Sequence, residues 1–137
     1  MLFEIFKSNK MDVRLVGNIG NPPLLERRIK NKTIFIIEAS SYQIAYSKYF
    51  KTDYAFILNL SHDHLERHGS INNYAKAKLK LIYNQSRNKQ AYIEKNNKII
   101  NKNISYKKVK SRLIKVIYNK EKLFRRKITK RFASSGL

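Results

Sequence analysis

A chain of 137 residues with 30 Lys+Arg against nine Asp+Glu carries a formal net charge of +21, and its 42% hydrophobic content suffices for one core. The absence of cysteine excludes a disulfide framework and a thiolate site, which suits a reducing cytoplasm. No apolar run approaches the ~20 residues of a membrane-spanning helix, and the start, M-L-F-E-I-F-K-S-N-K, has an acidic residue and no small-residue cleavage site, unlike a signal peptide.

The predicted elements alternate along the chain. A helix over 2–9 is followed by a strand over 13–16, which runs into Gly17, Asn18, Ile19 and Gly20 and then Pro22 and Pro23. A helix is expected over 23–30, then a strand over 33–37, T-I-F-I-I, which delivers Glu38, Ala39, Ser40 and Ser41 at its carboxyl end. After a helix over 41–50, the run Y-A-F-I-L-N-L from Tyr54 gives a strand over 54–59 of the kind buried on both faces. A helix over 72–86 and a strand over 90–93 follow, with a further strand over 114–118 and a basic helix over 121–132. Alternation of this kind indicates an α/β fold with a mostly parallel sheet flanked by helices. In such sheets ligands bind outside the carboxyl ends of the strands, where three polar loops of this chain are expected to converge.

One of those loops holds every histidine of the chain. His62, His64 and His68 fall in N-L-S-H-D-H-L-E-R-H-G-S together with Asp63 and Glu66. Imidazole is the commonest metal ligand, and carboxylates among imidazoles favour a cation; a short wet loop collects the same residue types with no site at all. On the helix that follows, a turn of about 100° per residue puts Ile71, Tyr74, Lys78, Ile82 and Gln85 on one arc and Lys76 and Lys80 on the other side. Lys78 is then the one lysine on the apolar face. Partial desolvation there would enlarge its neutral-amine fraction and let it capture carbon dioxide as a carbamate; alternatively its stem covers apolar surface while the ammonium reaches water.

Charge is unevenly spread. Residues 1–86 hold 13 Lys+Arg against seven Asp+Glu, whereas residues 87–137 hold 17 against two. Lys107, Lys108, Lys110, Arg112, Arg125, Arg126, Lys127, Lys130 and Arg131 are interleaved with Tyr106, Tyr118, Phe124 and Phe132. Such a tail could track the phosphates of a nucleic acid or meet an acidic partner, and equally could be a solvated surface.

The strings G-N-I-G-N-P (17–22), E-A-S-S-Y-Q (38–43), N-L-S-H-D-H-L-E-R-H-G (59–69) and Y-A-K-A-K (74–78) together resemble the central domain of the Mur ligases, most of all the members that add D-glutamate. The resemblance covers roughly residues 2–100. It implies a P-loop NTPase-like α/β domain that uses ATP and Mg2+ to activate the carboxylate of a UDP-muramoyl substrate for attack by the amine of D-glutamate, in peptidoglycan synthesis. Carried over by position, Asn18, Ser40 and Gln43 contact the UDP-muramoyl substrate, Glu38 holds the magnesium that bridges the ATP phosphates, and His64 and carbamoylated Lys78 hold the second magnesium. The family's Gly-rich P-loop with its Lys and hydroxyl residue has no counterpart here. The expectation is therefore a partial central domain over 1–100 that lacks its first strand and P-loop, a basic tail over 101–137 continuing the same domain, and a chain inactive alone unless a complementary ligase fragment joins it. The other reading is a basic protein that binds nucleic acid or an acidic partner on a decayed ligase fold.

Overall fold

The computed structural model describes residues 1–61 and 65–117. His62, Asp63 and His64, and the basic helix expected over 121–132, lie outside the described residues. Two compact units follow one another along the chain, Met1–Phe50 and the part from Lys51 onward.

The first unit contains helix α1 (Leu2–Ser8), strand β1 (Val13–Gly17), strand β2 (Ile34–Glu38) and helix α2 (Ser41–Tyr46). β1 and β2 pair in parallel, Val13 opposite Ile34 through Gly17 opposite Glu38. Asp12 starts this ladder. Its carbonyl accepts from the Ile34 amide at 2.8 Å, and its carboxylate accepts from the Thr33 hydroxyl at 2.7 Å and pairs with Arg14 at 2.7 Å. The helix expected over 23–30 is absent; only a single 3₁₀ turn forms, Pro23–Leu25. Glu26 is extended, held by the Arg14 guanidinium at 3.2 Å and the Asn21 amide at 3.0 Å, and Arg28 is left-handed with φ 55°. Leu24, Leu25 and Ile29 are exposed, so no buried apolar stripe rewards a helix here. α2 likewise ends at Tyr46, short of the expected residue 50: Ser47 is extended and Tyr49 is exposed.

The second unit contains strand β3 (Tyr54–Ile57), helix α3 (Leu65–His68), helix α4 (Ile71–Tyr83), strand β4 (Gln90–Glu94), helix α5 (Lys98–Asn103) and strand β5 (Arg112–Val116). The three strands form a parallel sheet in the order β3-β4-β5. The parallel α/β character read from the sequence holds, with the hydrogen bonds divided between this sheet and the β1-β2 ladder. β5 lies two residues earlier than expected, and α5 was not anticipated.

The core is built on one side of the second sheet. Ala55 and Ile57 of β3 and Ala91 and Ile93 of β4 meet Tyr74, Ala75, Leu79 and Ile82 of α4 and Ile100 of α5. The burial on both faces expected of the two apolar strands is not found. β3 alternates exposed and buried, with Tyr54 and Phe56 outward, and no residue of β2 is buried. Among the described residues no second layer covers these faces, which is why a run apolar at every position is wet at alternate ones.

Gln85, placed by periodicity on the helix, sits two residues past its end and is buried. Its Nε2 donates to the carbonyls of Thr52 at 3.1 Å and Gln90 at 3.0 Å, tying the entry of β3 to that of β4. Gln85→Ala removes both bonds and strands two carbonyls in an apolar setting. The expected loss is about 2–3 kcal/mol, read as a lower urea midpoint of tyrosine fluorescence; an unchanged midpoint would show that the clamp contributes nothing.

Candidate functional site

The carboxyl end of the β1-β2 ladder brings the first group of expected residues together. The chain leaves β1 through a loop that folds back on itself: the Gly17 amide donates to the Asn21 carbonyl at 3.1 Å and the Asn21 amide to the Leu15 carbonyl at 3.2 Å. Two glycines make that possible. Gly17 has φ 108° and Gly20 φ 85°, and a Cβ at either would overlap a backbone carbonyl oxygen, that of Glu38 and that of Leu15 respectively. The Asn18 amide therefore reaches the Glu38 carbonyl at 2.7 Å, so Asn18 and Glu38 sit side by side where both strands end.

Glu38 is exposed. A carboxylate at a strand's carboxyl end, with its backbone fixed by a neighbouring loop, is a hard oxygen donor of the kind magnesium takes, and the residue suits the role the resemblance assigns. Asn18 is exposed beside it.

Ser40 and Gln43 are brought together in a different way. Ser40 caps α2: its Oγ accepts from the Gln43 amide at 3.2 Å, and the Gln43 Oε1 accepts from the Ser40 amide at 2.9 Å. This capping box employs the acceptor oxygens of both side chains in starting the helix. The two N–H donors of the Gln43 amide group are left over by it, as is the hydroxyl hydrogen of Ser40.

The second unit holds the rest. β3 ends at Ile57, and Leu60, three residues on, is buried. Asn97 pins this exit. Its Nδ2 donates to the Leu60 carbonyl at 3.1 Å and the Asn59 Oδ1 at 3.3 Å, while its Oδ1 caps α5 through the Ile100 amide at 3.0 Å. The connection that carries the first two histidines is thus anchored at its start. His64 itself lies outside the described residues. His68 packs on Tyr74, ring centroids 5.5 Å apart, and its carbonyl accepts from the Asn73 side chain at 3.0 Å; its observed contacts belong to the α3–α4 corner. Ser70 caps α4 through the Asn73 amide at 3.2 Å.

On α4 the helix phase agrees with expectation. Tyr74, Ala75, Leu79 and Ile82 are buried, Lys76 is exposed, and Lys78, within the arc of the buried residues, is half-buried. Lys80 differs: it is half-buried rather than fully solvated. Among the described residues no group of three or more His, Cys, Asp or Glu side chains could hold a metal. Glu38 belongs to the first unit and Lys78 to the second.

Sequence reasoning missed Asn97 and Gln85. An asparagine ahead of Ile99 and Ile100 is a readable helix-start signal, but the reach of either amide across the fold has no signature in the chain. Of the basic residues, Lys108 lies over the Tyr83 ring at 6.0 Å and Lys115 over Tyr106 at 5.0 Å, so part of the interleaved pattern is spent on contacts within the chain. Arg125, Arg126, Lys127, Lys130 and Arg131 lie outside the described residues. No helix among the described residues is long and apolar enough to cross a membrane.

The chain is similar to several curated proteins described as UDP-N-acetylmuramoylalanine--D-glutamate ligase. It is 43% identical to that of Caldicellulosiruptor bescii over 82 residues, 59% of this chain and 18% of the relative. It is 42% identical to that of Alkaliphilus metalliredigens over 85 residues, 61% of this chain and 18% of the relative. With that of Pelotomaculum thermopropionicum the figures are 36% over 86 residues, 62% and 19%. The matched part thus spans less than a fifth of the length of each of these relatives. The description Mur ligase middle domain matches residues 3–136. With nearly the whole length matched, and with parallel strands flanked by helices beneath it, the chain belongs to the Mur ligase middle-domain family.

Proposed function

We propose that this chain is the central part of an ATP-dependent ligase that joins D-glutamate to a UDP-muramoyl-alanine substrate in peptidoglycan synthesis. The observation that carries the reading is the paired end of β1 and β2, where the Asn18 amide meets the Glu38 carbonyl at 2.7 Å over a turn only glycine permits. A polar loop and a carboxylate held at adjacent strand ends are what a phosphate-bearing substrate and its cation require. The names of the relatives support the same reaction.

In this reading Glu38, His64 and carbamoylated Lys78 hold Mg2+, which when bound neutralises phosphate charge during transfer. Glu38 contributes an exposed carboxylate and Lys78 a side chain whose stem is partly covered by the α4 face. Asn18 addresses the UDP-muramoyl substrate, and Gln43 does so through the amide hydrogens its capping role leaves over. Ser40 acts chiefly by fixing the start of α2, and hence the backbone between Glu38 and Gln43.

The chain holds no Gly-rich P-loop, and the phosphate cradle comes from other polypeptide: a complementary ligase portion is the partner this reading requires. The purified 137-residue chain is accordingly expected to show no D-glutamate-dependent phosphate release from ATP, since cradle and lysine supply much of the catalysis in phosphoryl transfer. The decisive measurement is turnover of a chimera, the Caldicellulosiruptor bescii ligase with its 82 matched residues replaced by the corresponding residues of this chain. Turnover dependent on both D-glutamate and the UDP-muramoyl substrate supports the proposal. A folded chimera that binds neither ATP nor substrate sinks it, as does robust release by the isolated chain.

A further inference from the structure

β3 is an edge strand with the composition of an interior one. It stands at one end of the order β3-β4-β5. The Gln90 amide donates to the Asp53 carbonyl at 3.0 Å, and Tyr54 lies opposite Gln90. In a parallel ladder with that phase the backbone groups of Asp53, Ala55 and Ile57 face β4, and those of Tyr54 and Phe56 face away from it. Edge strands are ordinarily guarded by a charge, a proline or a bulge. From Tyr54 to Leu60 there is no charged residue and no proline. The side chains repeat the anomaly. Tyr54 is 59% exposed and Phe56 49%, and the Phe56 ring stacks only on Tyr92, with centroids 4.8 Å apart and planes 11° from parallel. Parallel sheets are almost always covered on both faces.

We infer that the open edge of β3 is a docking site for one further β-strand, apolar on both faces and supplied by a second polypeptide, whose backbone pairs with Tyr54 and Phe56 and whose side chains cover the Phe56–Tyr92 stack. The inference rests on the ligase reading for the source of the strand. This chain matches less than a fifth of each relative's length, and the remainder of such a ligase is the polypeptide available to complete the sheet. A second copy of the chain is disfavoured as the occupant because each copy brings a formal net charge of +21. Strand addition draws its affinity from main-chain hydrogen bonds and its selectivity from alternate side chains, and here both are already displayed.

The test is amide hydrogen exchange, residue by residue, on the full 137-residue chain alone and on the chimera described above, with association followed separately by co-expressing this chain with the portion of the Caldicellulosiruptor bescii ligase that precedes its matched segment. In the isolated chain the Tyr54 and Phe56 amides are expected to exchange at least about 100-fold faster than those of Ala55 and Ile57. In the chimera and in the co-expressed pair they slow to match. Phe56→Lys, which puts a charge on the edge without touching an amide that β4 uses, is expected to weaken the pair at least about tenfold while leaving Ala55 and Ile57 protected in the isolated chain. Tyr54 and Phe56 amides that stay fast in the chimera overturn the inference. Slow ones in the isolated chain overturn it too, because the edge is then taken by a second copy, seen as a dimer in sedimentation, or by the chain itself. A chimera that turns over with fast Tyr54 and Phe56 amides refutes the added strand and leaves the ligase reading intact; slowed amides without turnover do the reverse.

Discussion

In the chimeric ligase, Lys78→Ala is expected to lower turnover by about 10²–10³-fold, the range seen when one preorganised group that stabilises transferring charge is removed. The reason lies in where α4 puts this side chain. Tyr74, Ala75, Leu79 and Ile82 are buried, and Lys78 stands half-buried within their arc. A lysine so placed keeps its stem against apolar atoms and presents one end group at a fixed height on the helix, the condition for a carbamate to serve as a metal-binding carboxylate. Lys76 shares the helix and the charge but is exposed, and Lys76→Ala should be nearly silent. Glu38→Ala should cost as much as Lys78→Ala, because the strand-end carboxylate has no neighbour able to replace it as an oxygen donor. Added acetate or formate should restore part of the Lys78→Ala loss by filling the vacated position, and should do nothing for Glu38→Ala if the two groups serve different ions. Near-normal turnover of Lys78→Ala together with loss in Lys76→Ala would show that the helix phase carries no information about the site.

That phase was legible in the sequence because an amphipathic helix thirteen residues long repeats its signal several times. The short elements had no such redundancy. Over residues 23–30 the apolar residues fit a helix, yet Glu26 is drawn to Arg14 and Asn21, partners supplied by β1 and by the loop that leaves it. A single tertiary ion pair decides a segment whose own preference is weak. The capping box was present in the letters S-S-Y-Q, and the same letters also fit a substrate-binding string; only the distances show that Ser40 and Gln43 hold each other. Gln85 and Asn97 act across 30 or more residues of chain, and no local pattern marks them. The wet faces of β2 and β3 are the most instructive departure. Their sequences describe a strand enclosed on both sides, and the structure supplies one. Local composition there agrees with the sheet of a larger assembly rather than with the described residues alone.

The second large effect falls on stability rather than turnover. Gly17→Ala is expected to destabilise the first unit by about 3 kcal/mol or more, the sum of forcing an L side chain to a φ of 108° and pushing its Cβ into the Glu38 carbonyl. Relief is difficult because that carbonyl already accepts the Asn18 amide at 2.7 Å and Gly17 is in register with Glu38, so moving either strand breaks the ladder at its carboxyl end. The first unit has little with which to absorb the loss: its buried side chains are Val13, Val16, Ser41 and Ile44. Hydrogen exchange of the β1 and β2 amides is the direct readout, and they should lose most of their protection in Gly17→Ala while the amides of α4 and β4, in the other unit, keep theirs. Gly69→Ala is the internal control. Gly69 also has a positive φ, 68°, but nothing lies within 4 Å of its would-be Cβ, so only the conformational cost of about 1–2 kcal/mol applies. Equal losses at the two positions would mean that strain alone is being measured and that the contact between the Gly17 turn and Glu38 contributes nothing. A larger loss at Gly17 would show that the turn and the carboxylate beside it are held as one piece, the property the proposed cation site depends on.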